Sequence, residues 1–412
     1  MTAQLCKRCS AAEAVFVSRK EPFCRPCFVR YIRGKERKQM APYKVTYPPR
    51  SSSPTPPVRL LLALSLGASS VALLEMLVEH LRDQIETHRG ATGFAVTAVH
   101  VDCSSVSAYS RSPAAAIDEL RDKFGDICTF DIIPLDDFLL NSSDELGVFS
   151  HGPDLESYSF TSPAAADDTE ALPHTVKSDI LDKVRDRTSK RDLLSTIIKT
   201  LVVCAAVKHD SPTLLFGDTM SRLAERVLSL TAKGRGASIP ASISDNYSIS
   251  ESVVQLFPMR EIMRAEAGEY AAMQGFAEYI IKPAVTPAAV LRMMTIDDLL
   301  VNYFREIEAG FPSIVSTVVR TADKLKDTTA EMDMACAICG VKCASEPEKW
   351  LQNITVNTSA VENPQEPSDS DTLTKDKDIL CYGCLVATKS ASFTWPCPPR
   401  STKEEIISQY EL

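Results

Sequence analysis

One stretch of the chain, residues 58–74 with the sequence VRLLLALSLGASSVALL, constrains the fold more than any other. Its first seven residues form a short apolar run, which predicts a strand buried on both faces. From Ser69 onward the apolar residues recur at helical spacing and predict an amphipathic helix. The small residues between them place a turn at a helix N-terminus, where free backbone N–H groups favour an anion such as phosphate. The alternative is an ordinary strand-to-helix turn of an α/β sheet.

The alternation of strands and helices continues through the middle of the chain. Residues 94–101, 128–134 and 213–216 are further strand-like apolar runs, and helical patterns separate them. This order predicts an α/β fold with a doubly wound parallel sheet. Such sheets bind ligands where their strands end. Asp102, after the second strand, is therefore a candidate site residue, with a capping or turn role as the alternative.

Eight of the thirteen cysteines form four C-x-x-C pairs, two pairs toward each end of the chain. Each pair can present both sulfurs from one tight turn, and two pairs complete a tetrahedral site for structural Zn²⁺. The predicted ligands are Cys6, Cys9, Cys24 and Cys27 in the first site, and Cys336, Cys339, Cys381 and Cys384 in the second. Cys343 is a spare ligand candidate. A redox dithiol is the alternative, but a closed four-sulfur site leaves no open position for chemistry.

A basic segment follows the first cysteine cluster. Residues 1–57 carry twelve Lys and Arg against three Asp and Glu, although the whole chain has a net charge of −9. Residues 27–40 of this segment predict a helix docked through an apolar stripe. Its cations are predicted to contact RNA phosphates, with a solvated basic face as the alternative. The five cations are Arg30, Arg33, Lys35, Arg37 and Lys38.

Composition divides the chain into four predicted segments and places it among soluble proteins. The segments are an N-terminal zinc knuckle with its basic helix (1–41), a Pro/Ser linker (42–57), an α/β core (58–330) and a C-terminal zinc ribbon (331–400). A mobile acidic insertion is expected at about 139–171, and a disordered acidic loop at about 346–378. No apolar run approaches the roughly 20 residues that span a bilayer. Thirteen cysteines without a secretory signal indicate a reducing, cytoplasmic compartment.

The loop SLGASS resembles the pyrophosphatase loop Ser-Gly-Gly-x-Asp-Ser of the ATP-dependent enzymes that thiolate and amidate tRNA. Ser65, Gly67 and Ser70 match that loop, whereas Leu66 replaces a glycine and Ser69 replaces the aspartate. The branched Leu66 side chain is expected to crowd the approach of a phosphate. Loss of the carboxylate removes an aid to Mg²⁺-bound nucleotide. The resemblance leaves it open whether this degenerate loop binds ATP.

Two later segments resemble the same enzymes. The sequence LLFGD, with Gly217 and Asp218, resembles their second signature, which opens a helix beside the nucleotide. A simple N-cap is the alternative role for Asp218. The segment from Phe257, FPMRE, resembles a third element. Its Arg260 and Glu261 are candidate contacts to RNA or a partner, or members of a surface salt bridge.

The order of these elements resembles that of the cytoplasmic tRNA 2-thiolation protein 2 family. The resemblance implies a PP-loop fold of the adenine-nucleotide alpha-hydrolase type and a heterodimer with a catalytic tRNA-thiolase paralogue. It implies that the complex replaces the 2-oxygen of uridine 34 with sulfur in the tRNAs for Lys, Glu and Gln. The sulfur would come from a thiocarboxylated ubiquitin-related carrier. In the catalytic relative, ATP activates the uridine carbonyl and a reactive cysteine pair serves the transfer.

The core offers only Cys103, Cys128 and Cys204 for such chemistry. These cysteines are widely spaced in apolar or strand-like surroundings, so buried packing is their expected role. The chain is therefore predicted to be a non-catalytic subunit that supports tRNA binding and completes the thiolase. One alternative is an active ATP-dependent tRNA sulfurtransferase in its own right. Another is a zinc-stabilised scaffold without a role on tRNA.

Overall fold

The structure is a computed structural model in which two compact units are distinguished. It describes residues 4–48, 54–140, 146–150, 159–160, 175–250, 252–282, 294–327, 332, 334–343, 380–389 and 392–396. Unit 1 comprises Met1–Leu135, Ile197–Ala232 and Ile239–Lys326. Unit 2 comprises Asp136–Thr196, Lys233–Ser238 and Asp327–Leu412.

Short strands and longer helices alternate along the described chain. The strands are β1 Phe16–Ser18, β2 Glu21–Phe23, β3 Val58–Ala63, β4 Phe94–Asp102, β5 Cys128–Pro134, β6 Leu146–Ser150, β7 Ser159–Phe160, β8 Thr213–Phe216, β9 Val254–Leu256, β10 Met334–Ala335, β11 Lys342–Cys343 and β12 Ser392–Pro396. The α-helices are α1 Arg25–Gln39, α2 Ala68–Thr87, α3 Pro113–Phe124, α4 Asp137–Leu140, α5 Val176–Asp179, α6 Arg187–Lys208, α7 Met220–Ala232, α8 Ile239–Ile243, α9 Arg264–Met273, α10 Ile296–Gly310, α11 Pro312–Ala322 and α12 Tyr382–Thr388.

A five-stranded parallel sheet in the order β5–β4–β3–β8–β9 forms the centre of unit 1. In the central strand β3, Ala63 lies opposite Val99 of β4 on one side and Phe216 of β8 on the other. The chain moves outward from β3 to β5 and then returns to the other side of β3. The loop after β3 therefore lies at the switch point, where open α/β sheets bind ligands. The predicted doubly wound parallel fold is confirmed.

Helices cover this sheet and bury its apolar residues. The leucines of β3 at positions 60, 61 and 62 are fully buried, as a central strand with both faces covered requires. Helix α2 packs against α9, and α1 packs against both helices. Phe28 and Ile32 of α1 are fully buried in the same core, which confirms the predicted apolar stripe of the basic helix.

Unit 2 contains a three-stranded antiparallel sheet, β12–β6–β7, and the hairpin β10–β11. Trp395 of β12 is buried, and its ring centroid lies 5.0 Å from that of Phe138 on α4. Strands β6 and β7 belong to the predicted insertion at 139–171. The other residues of that insertion after Leu140 lie outside the described residues, as does the predicted loop at 346–378. None of the described helices is both long and apolar enough to cross a membrane.

Candidate functional site

The loop between β3 and α2 turns sharply at Leu66. The φ angle of this residue is +57°, in the left-handed region that costs a leucine about 1–2 kcal/mol. The side chain of Leu66 is fully buried in the core of unit 1. Its carbonyl accepts a hydrogen bond from the backbone N–H of Ile281 at 2.9 Å. The loop therefore has a glycine-like backbone, and the bulk of Leu66 lies in the core rather than at the mouth of the loop.

The polar groups of this loop are hydrogen-bonded to one another. The hydroxyl oxygens of Ser65 and Ser70 lie 3.1 Å apart, and the hydroxyl of Ser70 donates to the carbonyl of Gly67 at 3.1 Å. The N–H of Gly67 donates to Ser65 Oγ at 3.4 Å. Ser65 is exposed, Ser69 is half-buried in the first turn of α2, and Ser70 is buried. The loop thus lies at the surface, and the hydroxyl groups of Ser65 and Ser70 are engaged within it.

Gly217, after β8, packs directly against this loop. A Cβ atom at this position would lie 2.8 Å from the Cα atom of Ser70 and 3.1 Å from its backbone nitrogen. Only glycine permits so close an approach of two backbone segments without a shift. The structure therefore brings together Ser70 and Gly217, two residues that the sequence assigned to one nucleotide-type site.

The two candidate carboxylates at the strand ends serve local structure. Asp102 accepts hydrogen bonds from the backbone N–H and the hydroxyl of Ser104, at 2.9 and 2.5 Å, which is the turn role considered as the alternative. Asp218 Oδ2 lies 2.7 Å from Nη2 of Arg226. Thr219 Oγ1 accepts a hydrogen bond from the backbone N–H three residues later, at 3.4 Å. The N-cap of α7 is thus Thr219 and not Asp218.

The first predicted metal site is assembled from a turn and the start of a helix. The sulfur atoms of Cys6, Cys9, Cys24 and Cys27 all lie within 4.8 Å of one another, and those of Cys9 and Cys24 are 3.7 Å apart. Cys24 is the N-cap residue of α1, and Cys27 lies in the first turn of that helix. The predicted grouping is confirmed, and these residues can hold one metal ion.

The second predicted metal site has the same construction in unit 2. The sulfur atoms of Cys336, Cys339, Cys381 and Cys384 lie within 4.8 Å of one another, and those of Cys339 and Cys381 are 3.7 Å apart. The first pair lies in the turn between β10 and β11, and the second pair opens α12. Cys343, the spare candidate, is buried on β11 opposite Met334 and does not belong to this four-sulfur group.

Two of the five candidate RNA-contact cations on α1 form ion pairs with buried carboxylates of unit 1. Arg33 Nη2 lies 2.6 Å from Oε1 of Glu75, and Arg33 Nε donates to the hydroxyl of Tyr270 at 2.7 Å. Lys35 Nζ lies 3.0 Å from Oε2 of Glu266. The side chains of Glu75 and Glu266 are 6% and 3% exposed. These two cations therefore neutralise buried negative charge and anchor α1.

The surroundings shift the pKa values of these carboxylates in opposite directions. Burial raises the pKa of Glu75, because it outweighs the hydrogen bonds and the attraction of Arg33. Burial acts in the same sense on Glu266, but the attraction of Lys35 and Arg19 and the hydrogen bonds from Ser18 and Met263 together outweigh it and hold the pKa of Glu266 below its ordinary value. Glu266 is therefore ionised at neutral pH despite its burial.

The other three candidate RNA-contact cations on α1 are exposed. Arg37 contacts Asp83, and Lys38 Nζ lies 3.0 Å from Oε1 of Glu261. The Arg37 and Lys38 side chains are 41% and 70% exposed, and Arg30 is exposed as well. Because exposed ion pairs contribute little free energy, these cations remain accessible to a phosphate.

One of the three core cysteines differs in exposure from what the sequence predicted. Cys103 and Cys128 are buried, as expected, and burial raises the pKa of the Cys128 thiol to about 12. The prediction for Cys204 is wrong, because this residue is exposed on α6. Burial of part of its surface still raises the pKa of the Cys204 thiol. Cys128 and Cys204 therefore lack the lowered pKa of a reactive cysteine.

The buried acidic partners of α1 were missed by sequence reasoning. Glu75 lies inside the apolar stretch VALLEMLV, where a lone carboxylate is a usable signal for a buried ion pair. Glu266 gives no such signal, because it lies 231 residues from its partner Lys35.

The chain is similar over nearly its whole length to curated proteins called cytoplasmic tRNA 2-thiolation protein 2. The relative from Debaryomyces hansenii is 32% identical over 436 residues, which cover 99% of this chain and 95% of the relative. The relative from Yarrowia lipolytica is 31% identical over 432 residues, which cover 99% of each chain. The family model for cytoplasmic tRNA 2-thiolation protein 2 matches residues 295–386.

A similar fold is found in a solved structure of another protein. It is the U34-tRNA thiolase NcsA from Methanococcus maripaludis with its 4Fe–4S cluster. The similarity has a TM-score of 0.55 at 14% sequence identity and covers 87% of this chain and 98% of that one. At this identity the similarity concerns the fold alone, and it agrees with the predicted PP-loop core.

Proposed function

Because the chain belongs to the cytoplasmic tRNA 2-thiolation protein 2 family, we propose that it acts in 2-thiolation of uridine 34 in cytosolic tRNAs. The observation that carries this proposal is the 32% identity to a relative of that name over 99% of the chain. The relatives are cytoplasmic by name, and this chain is assigned to the same compartment.

We propose further that the chain is a non-catalytic subunit. Sulfur transfer requires a nucleophilic or metal-bound cysteine, and burial gives Cys128 a pKa of about 12, far above neutrality. The thiol of Cys103 donates to the carbonyl of Val101 at 3.7 Å, which is the role of a protonated packing residue. These observations count against the alternative of an independent sulfurtransferase. A catalytic paralogue, in a heterodimer with this chain, would supply the reactive cysteines.

The loop after β3 fits a structural role in this subunit. A phosphate cradle needs free N–H and hydroxyl donors that point at the ligand. Here the hydroxyls of Ser65 and Ser70 bond within the loop, and the N–H of Gly67 donates to Ser65. The acidic residue of the family loop is replaced by Ser69. We therefore assign ATP activation of the uridine to the catalytic paralogue, together with acceptance of sulfur from the thiocarboxylated ubiquitin-related carrier.

Zinc is the proposed metal for both four-cysteine clusters. With Zn–S bonds of about 2.3 Å, a regular tetrahedron has sulfur atoms about 3.8 Å apart. The measured separations of 3.7 Å, Cys9 to Cys24 and Cys339 to Cys381, match that value. An iron–sulfur cubane binds each cysteine to a different iron and needs wider spacing. Each zinc would be structural, because four thiolates close its coordination shell.

The exposed part of helix α1 is the proposed tRNA contact. Arg30, Arg37 and Lys38 lie at the surface, where a phosphate can reach them. Arg37 and Lys38 would exchange their exposed ion pairs with Asp83 and Glu261 for contacts to phosphate. Arg33 and Lys35 would act indirectly, because their ion pairs with buried carboxylates hold the helix in place. A scaffold without a role on tRNA would show no salt-dependent affinity for tRNA.

Reconstitution with purified components tests the subunit proposal. Uridine-34 thiolation is measured with tRNA, ATP and the thiocarboxylated carrier, adding this chain, the catalytic paralogue, or both. We expect product only when both proteins are present. Product from this chain alone would refute the non-catalytic role. Full activity of the paralogue alone would refute the subunit role.

A further inference from the structure

The segment Lys233–Ser238 of unit 2 packs against the helix that carries two cysteines of the second cluster. Gly383 lies between those cysteines, and a Cβ atom at this position would collide with Cγ and Nε of Arg235. Gly234 has a φ of +70°, and a Cβ there would lie 2.8 Å from the ring of Tyr382. The glycines thus allow the guanidinium of Arg235 to lie beside the backbone of the metal-binding turn.

Arg235 carries a positive charge that its carboxylate neighbour compensates only in part. Asp192 Oδ1 lies 2.6 Å from Lys233 Nζ, and Asp192 Oδ2 lies 3.5 Å from Nη2 of Arg235. All three side chains are nearly buried, at 9% to 13% exposure. Asp192 thus lies closer to Lys233 than to Arg235, so it compensates the charge of the Arg235 guanidinium only in part. A buried charge of this kind is stable only when another negative group lies nearby.

The cysteine cluster supplies that negative charge when it binds metal. Four thiolates around one Zn²⁺ ion carry a net charge of about −2. Cys384, Cys381 and Cys339 attract the Arg235 guanidinium and, with Asp192, raise its pKa against the opposing effect of burial. In the described residues the buried Nε of Arg235 has no hydrogen-bond partner, so its donor is free for the electronegative cluster.

The first cluster differs in this respect. Its Cys9 is exposed, so water and salt can screen the metal-bound thiolates there. Its neighbour Arg8 lies 5.8 and 5.5 Å from the ring centroids of Phe23 and Tyr31. Each cluster has two buried cysteines, Cys6 and Cys24 in the first and Cys336 and Cys384 in the second, but none of the four cysteines of the second cluster is exposed. The second cluster therefore depends more strongly on a protein cation.

We propose that Arg235 is a positioning residue that compensates the charge of the thiolates at Cys336, Cys339, Cys381 and Cys384, and so retains the metal in this cluster. By the same contact, the bound metal holds the Lys233–Ser238 segment in place. This inference rests on the proposed zinc site and is independent of the role in tRNA thiolation. Residues around metal ligands typically change metal affinity by about 10–100-fold when they are replaced.

The test measures zinc retention in the full-length chain. Elemental analysis first counts the zinc per chain, and transfer of zinc to a chromophoric chelator then gives the release rate of each site. Zinc release from the two clusters gives two kinetic phases. The variants Cys9→Ser and Cys339→Ser each disrupt one cluster and so show which phase belongs to which cluster. The compared variants are Arg235→Gln and Arg235→Lys, with the exposed Arg320→Gln as a matched control.

We expect Arg235→Gln to release zinc from the second cluster at least tenfold faster than the unmodified chain, with the first cluster unchanged. Arg235→Lys, which retains the charge, should stay within about threefold of the unmodified chain. Unchanged release from Arg235→Gln, or equal acceleration in Arg235→Lys, would overturn the charge role. A chain that lacks zinc in the second cluster would overturn both this inference and the zinc proposal.

A folding defect in Arg235→Gln is handled by refolding in excess zinc. Recovery of the circular dichroism spectrum of the unmodified chain would support the inference, since added metal then replaces what the lost cation supplied. Failure to recover, while Arg320→Gln folds normally, would show a general packing role and refute the proposal. The first cluster, in unit 1 of the same molecule, serves as the internal reference for metal content.

Discussion

Replacement of Glu266 by alanine should lower the free energy of unfolding by about 3–5 kcal/mol, the usual cost of breaking a buried ion pair. One oxygen of Glu266 accepts hydrogen bonds from Ser18 Oγ at 2.5 Å and Arg19 Nε at 3.0 Å. The other lies 3.0 Å from Lys35 Nζ and accepts from the N–H of Met263 at 2.8 Å. Alanine removes the partner of all four donors, and with it the residue that joins β1, α1 and α9.

Urea unfolding of the zinc-loaded chain, followed by far-ultraviolet circular dichroism, measures this loss. The matched control is Glu261→Ala, because Glu261 forms only a partly exposed pair with Lys38. The control should cost less than about 1 kcal/mol. If Glu266→Ala were no less stable than Glu261→Ala, the carboxylate would not be the anchor of the N-terminal segment.

The pH dependence of Glu266→Gln gives a second measure of the same carboxylate. The pKa of Glu266 is lower in the folded chain than its ordinary value. Its ionised form therefore stabilises the fold fully above the unfolded pKa of about 4.3, and this contribution is lost as pH falls through the folded value. The stability difference between the unmodified chain and Glu266→Gln should shrink in acid. A difference that stays constant from pH 7 to pH 3 would contradict this assignment.

Two further substitutions test the loop and the proposed tRNA surface. Gly217→Ala should destabilise the fold by about 1–3 kcal/mol, because its Cβ would lie 2.8 Å from a backbone atom of the loop after β3; a thermal melt equal to that of the unmodified chain would contradict this. Neutralising Arg30, Arg37 and Lys38 together to Gln should weaken tRNA binding without changing unfolding in urea. It should also reduce the slope of log affinity against log salt by roughly 2–3, since each lost phosphate contact removes about 0.7–0.9; an unchanged slope would place the tRNA surface elsewhere.

Local patterns in the sequence were sufficient to predict the sheet and the metal clusters. The predicted strand 58–64 corresponds to Val58–Ala63, and the predicted strand 94–101 to Phe94–Asp102. Apolar runs reveal the central strands because the middle of β3 and most of β4 are buried. The C-x-x-C pairs reveal candidate metal ligands because both sulfurs of a pair come from one turn. The predicted domain boundaries, such as 58–330, stay predictions.

Exposure at single residues was harder to predict, because it depends on neighbours from distant parts of the chain. Cys204 lies in an apolar helical pattern, yet it falls on the exposed side of α6. Leu66 was expected at the mouth of the loop, but a positive φ turns this residue into the core. A positive φ can be expected from the sequence where the residue is glycine, but a leucine at position 66 gives no such indication.

The sequence by itself determined the parallel α/β sheet, the loop after its first strand and two sets of four cysteines that can hold a metal, since all of these arise from spacings of a few residues. Only the tertiary structure decided the partners of the charged side chains. Lys35 meets Glu266 across 231 residues, and Arg235 lies beside a cysteine helix that begins at Tyr382. The physical reason is that long-range ion pairs are selected by packing of the whole core, and charge alone does not specify which carboxylate or thiolate a cation will meet.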